Sequence, residues 1–269
     1  MKFQIALVHN GESERLKYLR PKLIGLRDSL KSADLIEYSN QNLKQFNWFI
    51  LFARAFISAS IRWRYEKYLK CSHHKEAFCQ ELRTHFSSLI KFKNYYWYKK
   101  SVSIQMAVTK KHFYLISKFV KSEAEYLIVF ENDSLIENPK HLSSSISKLI
   151  RHINVDSCGF GVLGGGFSQS QLHATNLVHA KSDALLHCER AYTNTAVAYL
   201  IPKKLAFELD KKFEHSSILK KSIPIDWILN SFFIELSKLG IDCTLVSFEL
   251  DPVIHGSRVD FFKSWQLGF

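Results

Sequence analysis

The chain has 269 residues, of which 46% are hydrophobic and 23% charged, so it can bury a sizeable core and does not belong to the disordered proteins. Its formal net charge of +12 favours anionic partners such as phosphate-bearing ligands, nucleic acid or acidic lipid. The cysteines are dispersed, odd in number and without a Cys-x-x-Cys pair, which predicts a reduced, cytoplasmic protein.

The first half of the chain is predicted to begin with a strand and then to become helical. The apolar part of the first strand is too short for the core of a signal peptide. The predicted elements are a strand at 3–8, a helix from Ser13, a strand at 33–39, basic and aromatic helical segments from 42 to about 93, a connecting segment at 94–100 and a long helix from Ser101.

One helical segment, from Phe46, carries an aromatic-rich apolar face beside a basic one. It falls short of the roughly 18 uninterrupted apolar residues of a membrane span. Two interpretations are open: an ordinary surface helix packed on the core, or a helix that rests on an anionic membrane face.

The second half of the chain alternates strands with helices. The predicted elements are a strand at 125–133, a helix at 138–153, a strand from Cys158 that breaks at Gly164–Gly166, a strand and helix at 193–213, a helix at 223–240, a strand at 241–250 and a polar tail from Asp251. This order predicts one α/β domain over residues 1–269, with a helical insertion at about 42–93.

Two carboxylates, Glu131 and Asp133, follow the most apolar predicted strand. In α/β sheets, ligands collect at the carboxyl ends of strands, and strand alternation would aim residues i and i+2 at one point. Hard divalent cations take such oxygen ligands together with substrate phosphates. The pair therefore predicts a metal clamp for a phosphate-bearing ligand.

Four segments, in their order and spacing, resemble the bacterial lipopolysaccharide glycosyltransferases of glycosyltransferase family 25, a GT-A-type group. They are "IVFENDSLI" at 128–136, "AVAYLIPKKLAFEL" at 196–209, "PIDWIL" at 224–229 and "DPVIHGS" at 251–257. The opening "IALVHNGESERLKYL" is similar to the family's first strand with its downstream arginine, here Arg15. The resemblance extends from Ser101 to His255 and includes the first strand.

The resemblance implies a GT-A-like (Rossmann-like) fold, with a central mostly parallel sheet flanked by helices. It implies a cytoplasmic glycosyltransferase, at the inner face of the cytoplasmic membrane, that moves a hexose from a nucleotide-sugar to a hydroxyl of a cell-surface glycan or glycolipid. A UDP-sugar is the expected donor, Mn²⁺ or Mg²⁺ the expected metal, and inversion the expected outcome. Lipopolysaccharide, lipooligosaccharide or capsule would be the acceptor.

The resemblance also implies residue roles. Asp226 would be the general base, Val8, Asn10, Arg15 and Glu131 would bind the donor, and Asp133, Glu131 and His255 would hold the metal. The chain departs from the family pattern at Asn132, where Glu-Asp-Asp becomes Glu-Asn-Asp, and in the preceding helix, where "TKKHF" stands in place of a clear Ser-His.

Each role has a plainer interpretation. Asp226 would then only favour a helix N-terminus, and His255 would be a surface histidine. Two interpretations of Gly164–Gly166 are open: a mobile loop over the substrate, or a wide turn. Cys71, His73 or His74, and Cys79 form a weak zinc pattern. Outside the glycosyltransferases, the alternatives are a basic nucleic-acid-binding protein, disfavoured because no recognised module is present, and a metal-dependent phosphoesterase, disfavoured because acids are sparse.

Overall fold

A computed structural model describes residues 1–30, 33–39, 46–69, 74–90, 92–165, 178–182, 184–193 and 197–256. The strands are β1 (Phe3–Val8), β2 (Ala33–Tyr38), β3 (Tyr126–Glu131), β4 (Ser134–Leu135), β5 (Gly159–Gly164), β6 (Val178–Ser182), β7 (Leu185–Cys188), β8 (Ala198–Pro202), β9 (Thr244–Phe248) and β10 (Ile254–His255). The helices are α1 (Ser13–Leu30), α2 (Trp48–Tyr68), α3 (His74–Ile90), α4 (Phe92–Val120), α5 (Pro139–Ile150), α6 (Lys203–Glu214), α7 (Ile218–Lys221) and α8 (Ile225–Ser237).

In the described ranges, one eight-stranded sheet has the order β2-β1-β3-β8-β5-β9-β7-β6. β1 pairs in parallel with β2 and β3, and β5 pairs in parallel with β9. β8 runs antiparallel between β3 and β5, and β7 runs antiparallel between β9 and β6. The other six strands of this sheet share one direction. The predicted α/β fold with a mostly parallel sheet is therefore confirmed.

Helices cover both faces of the sheet. Side chains alternate along each buried strand, so every such strand presents apolar residues to both faces, and both have to be covered. On one face Phe3, Ile5 and Leu7 of β1 pack with apolar residues of α1 and α5. On the other face Ala6 and Val8 pack with apolar residues of α4, α6 and α8. Burial on both sides explains why β1 and β3 are almost entirely apolar, with Gln4 and Glu131 as the exceptions.

The predicted helical segment after residue 42 contains α2 and α3, which pack as an antiparallel pair. Phe52 and Phe56 of α2 contact Phe86 near the end of α3, and Ser58 donates a hydrogen bond to Glu81, one turn and a half earlier in α3. None of the helices in the described ranges combines the length and apolarity needed to cross a bilayer.

The prediction of a connecting segment at 94–100 was wrong, because these residues lie inside α4. The segment contains no glycine or proline, and Tyr95 and Tyr98, one helical turn apart, pack on the same small cluster as Val102 and Met106. Helical spacing of these apolar side chains continues the helix through a stretch whose lysines and aromatics suggested a boundary.

Two further features differ from the sequence expectations. The polar tail from Asp251 contains β10, which pairs antiparallel with β4 directly after β3. The antiparallel strands β6 and β7 were not predicted. β10 has only two residues, so it exists as a pairing and leaves no periodic pattern in the sequence.

Candidate functional site

The ends of the central strands lie side by side at one edge of the sheet. Val8, the last residue of β1, is in register with Glu131, the last residue of β3, and also with Tyr38 of β2. Because these strands are parallel, the residues that follow each of them emerge at the same edge. The predicted donor-binding residues Val8 and Asn10 and the acids after β3 are therefore neighbours.

Asp133 is positioned by the C-terminal segment rather than by strand alternation. β3 ends at Glu131, and Asn132 and Asp133 form the turn into β4. β10 pairs with β4, and the backbone N–H of Gly256 donates to the carbonyl oxygen of Asp133 at 2.7 Å. This pairing brings Nε2 of His255 to 3.5 Å from Oδ2 of Asp133.

Glu131 belongs to a buried chain of hydrogen bonds. Its Oε1 lies 2.9 Å from Nε2 of His112, and Nδ1 of the same ring lies 2.9 Å from the hydroxyl of Tyr199. Burial raises the pKa of Glu131 to about 8, with Asp133 adding to the rise and His255 and Lys111 opposing it.

Burial lowers the pKa of His112 to about 3, and the charge of Lys111 acts in the same direction. Burial thus favours the neutral form of both groups, which one hydrogen bond joins between Nε2 and Oε1. His112 is fully buried and holds Glu131 in one orientation.

Lys111 reaches the end of β1 from α4. Its ammonium donates to the carbonyl oxygen of His9 at 2.8 Å and to Oδ1 of Asn10 at 2.6 Å. Burial lowers the pKa of Lys111, and the charges of Glu12 and Glu131 oppose that shift. A buried cation thus fixes the segment after β1 and supplies positive charge beside the acids.

Arg15, Glu12 and Asn132 connect α1 to the turn after β3. Nε of Arg15 lies 3.0 Å from Oε2 of Glu12, and the amide of Asn132 donates to the same oxygen at 2.6 Å. An aspartate at 132 would set two carboxylates at hydrogen-bond distance. The hydrogen bond to Glu12 therefore explains why an asparagine, and not an aspartate, stands at position 132.

Asp226 lies in the first turn of α8, which begins after Pro224. Burial raises the pKa of Asp226 to about 7; the backbone N–H groups of Trp227 and of Asp226 itself oppose the rise, and the charge of Glu131 adds to it. The carboxylate thus meets the helix N-terminus, as the plainer interpretation expected, and is also close enough to Glu131 to respond to its charge.

The structure places all the sequence-predicted site residues at this edge of the sheet. Sequence reasoning missed four of their partners, namely Glu12, Lys111, His112 and Tyr199. The "TKKHF" stretch was noted only as a departure from a family pattern, although its Lys-His step supplies both buried groups of α4. The sequence does not show which side chains are buried, and burial is what distinguishes Lys111 from the exposed lysines of the chain.

The Asp133–His255 pair fits a divalent cation, whereas Glu131 is bound to His112. Nδ1 of His255 is buried and makes no hydrogen bond in the described part of the chain. A carboxylate and an imidazole are suitable donors for a divalent metal and leave positions for phosphate oxygens. Among the described residues no group of three or more His, Cys, Asp or Glu side chains forms a metal cluster.

Two other sequence features fall partly outside the described ranges. Cys71 and His73 of the zinc pattern lie outside the described residues. Cys79 is described and is a free, exposed thiol. Of the three glycines, Gly166 lies outside, Gly164 ends β5, and the N–H of Gly165 donates to Oδ2 of Asp251 at 3.1 Å. The glycines therefore meet the segment that carries His255.

No protein-family model matches the chain, and no curated protein matches it. The resemblance to glycosyltransferase family 25 stays a prediction, and the function has to be argued from the site.

Proposed function

We propose that the protein is a glycosyltransferase that moves a sugar from a nucleotide-sugar, with a UDP-sugar as the expected donor, to a hydroxyl of a cell-surface glycan or glycolipid. The proposal rests on one observation: four side chains lie together at the carboxyl edge of β1 and β3. They are Asp226, Asp133, His255 and the buried Lys111. One carboxylate there has a pKa near neutrality, and another is paired with an imidazole.

Asp226 suits the role of general base. In the reaction, the acceptor oxygen forms a bond to the anomeric carbon while the bond from that carbon to the diphosphate oxygen breaks, which inverts the anomeric centre. The acceptor proton passes to the carboxylate of Asp226. A carboxylate whose pKa is about 7 accepts a proton better than one near 4 and is still ionised in half the molecules at neutral pH.

Asp133 and His255 would hold a divalent cation, which neutralises charge on the departing diphosphate. The chain's own groups support the same task. Lys111 brings positive charge to the end of β1, and its hydrogen bond orients Asn10. Arg15, fixed by Glu12, provides a second cation at the start of α1. Such prearranged charges stabilise the leaving group without reorganising during the reaction.

The proposal is tested by thermal shift with a set of UDP-, GDP-, ADP- and CMP-sugars, each with and without Mn²⁺. We expect one nucleotide class to raise the melting temperature of the wild type, and Mn²⁺ to increase that rise. Asp133→Asn should remove the Mn²⁺-dependent part, because the amide keeps the shape of the side chain but loses its charge.

Asp28→Asn is the matched control, since Asp28 is exposed and bonded to Arg27 in α1. It should respond as the wild type does. A wild type that responds to no nucleotide-sugar, or an Asp133→Asn variant that keeps the full Mn²⁺ response, would contradict the assigned site.

A further inference from the structure

The end of the helical insertion exposes large apolar side chains. We call this region the insertion tip and define it as residues 46–56, 86–90 and 95–100, where α2 begins, α3 ends and α4 makes its first turns. Phe49 is 73% exposed, Ile90 81% and Tyr96 65%, and Trp48 is half exposed. Large apolar groups this exposed and this close together mark an interaction surface.

The exposed groups stand on a packed base. Trp48 stacks on Phe52 with ring centroids 5.1 Å apart, and Phe52 stacks on Phe86 at the same distance. Beneath them lies a separate apolar cluster of Phe46, Leu51, Leu89, Val102 and Met106. The side chains that point outward are therefore held by ordered neighbours that point inward.

The aromatic surface continues along α2. Phe49, Phe56 and Trp63 recur every seven residues and share one face of the helix, and each is exposed by a third or more. The opposite face carries Leu51 and Tyr65, which are buried. α2 therefore presents one apolar face to the protein and a second apolar face to its surroundings.

The tip is basic and carries no acid. The sequence has no aspartate or glutamate from Phe46 to Tyr65 or from Thr84 to Lys100, and the tip carries Lys99 and Lys100. The ammonium of Lys100 lies 5.2 Å from the ring centroid of Trp97. Exposed aromatic and aliphatic side chains with lysines beside them and no acid match the interface of an anionic bilayer, where apolar groups enter the acyl region and cations meet the headgroups.

We propose that the insertion tip docks the protein on the surface of an anionic lipid bilayer. Nucleic acid is the competing partner for a basic aromatic surface, because bases stack on aromatic rings. The most exposed apolar residue of the tip is Ile90, however, and an aliphatic side chain offers no ring for stacking. A bilayer accommodates isoleucine and phenylalanine alike.

The docking proposal does not depend on sugar transfer. If it holds, it sets how far the candidate site lies from the lipid surface. Farther along α2, Tyr65 packs against Trp227, the neighbour of Asp226, with ring centroids 5.0 Å apart. At 1.5 Å per helical residue, Phe49 and Tyr65 are separated by about 24 Å along the axis. A docked tip would thus place the part of α2 that contacts the neighbour of the candidate base about 24 Å along the helix from Phe49, a distance that a glycan projecting from a lipid can span.

The experiment measures flotation of the full chain with vesicles of phosphatidylcholine alone and of phosphatidylcholine with phosphatidylglycerol. The tip variant is Phe49→Ser with Ile90→Ser. The matched control is Phe207→Ser with Leu239→Ser, which removes one phenylalanine and one aliphatic residue that are 53% and 65% exposed elsewhere on the surface. Circular dichroism and the melting temperature verify that both variants are folded.

We expect the wild type and the control to float with anionic vesicles and not with neutral ones, and the tip variant to lose at least about tenfold in partitioning. Flotation of the wild type should weaken as salt is raised. The proposal is overturned if the wild type does not float, if both variants float equally, or if the tip variant instead loses binding to a random single-stranded oligonucleotide while vesicle binding is unchanged.

Discussion

The carboxyl group of Asp226 is subject to opposing influences. Burial favours its neutral form, while the N–H groups at the start of α8 favour the charged form, and burial is the larger, so the pKa rises to about 7. In an unfolded chain the same group ionises near pH 4. Ionisation of this carboxyl group is therefore unfavourable only in the folded protein. As a result, the free energy of unfolding falls as pH rises from about 4 through 7.

Asp226→Asn separates the catalytic from the structural role of this carboxyl group. We expect sugar transfer to fall by about a hundredfold or more, because the acceptor proton loses its base. The stability of the variant relative to wild type should increase between pH 4.5 and pH 8, since the amide has no charge to bury. Urea unfolding at both pH values and a transfer assay measure the two effects.

In the wild type, kcat/KM should rise with pH through about 7, as the base ionises. A variant that transfers sugar at the wild-type rate would show that another group takes the proton. A stability difference that stays constant with pH would show that the carboxyl group is not buried in the folded protein.

Site residues differ in how visible they are in the sequence. Glu131 and Asp133 could be predicted because they follow an uninterrupted apolar strand, and the end of a buried strand is where a sheet collects ligands. His112 and Lys111 stand in a helix with further lysines around them. Only the packing of α4 on β1 and β3 distinguishes these two from solvated neighbours, and that packing is a long-range property.

At the level of elements, the pairing of β4 with β10 brings His255 to the site. Val253 extends this contact, since its N–H donates to the carbonyl oxygen of Leu163 at 3.0 Å. A Cβ on Gly164 would lie 2.9 Å from the Cβ of Val253 and closer still to its backbone carbonyl. The end of β5 therefore accepts the C-terminal segment only while residue 164 has no side chain.

Gly164→Ala should displace this segment and with it His255. We expect the variant to fold with a melting temperature within a few degrees of wild type and to lose most of the Mn²⁺-dependent shift with nucleotide-sugar. Thermal shift with and without Mn²⁺ measures both.

Gly25→Ala is the control for Gly164→Ala. Gly25 is in α1, where a Cβ would make an ordinary contact 3.5 Å from Pro139, and a helical glycine replaced by alanine gains about 0.5–1 kcal/mol. Its Mn²⁺ response should be that of the wild type. If the two variants respond alike, the close approach at Gly164 does not position the proposed metal ligands Asp133 and His255.

The main elements could be predicted wherever their pattern was local. β1 is apolar except for Gln4, β3 is apolar up to Glu131, and α8 is bounded by Pro224 and Gly240. The pairing of β4 with β10 could not be predicted, because two-residue strands have no periodicity and depend on a partner that is distant in the chain.

On the scale of the whole molecule, the sheet and the site have different requirements. The eight strands of the described sheet end with Phe248, and among the described residues beyond it only Val253 belongs to the two core clusters that cover the sheet. The proposed metal pair of Asp133 and His255 includes a residue beyond Phe248. The fold and the site can therefore be separated by shortening the chain.

Two truncations make that separation. Removal of residues 257–269 should leave the nucleotide-sugar response intact, because β10 and His255 remain. Removal of residues 251–269 should preserve the circular dichroism of the fold and abolish the Mn²⁺-dependent part of the response. Equal responses from the two chains would mean that the C-terminal segment holds no part of the site.

The contact between Asp133 and His255 also bears on how the molecule matures. His255 follows every strand of the described eight-stranded sheet in the chain, so the pair cannot form before those strands have been synthesised. A nascent polypeptide that has already assembled its first strands still lacks His255. Competence to bind a cation would thus report that synthesis has passed His255 and that the returning end has docked, and incomplete chains would be inert.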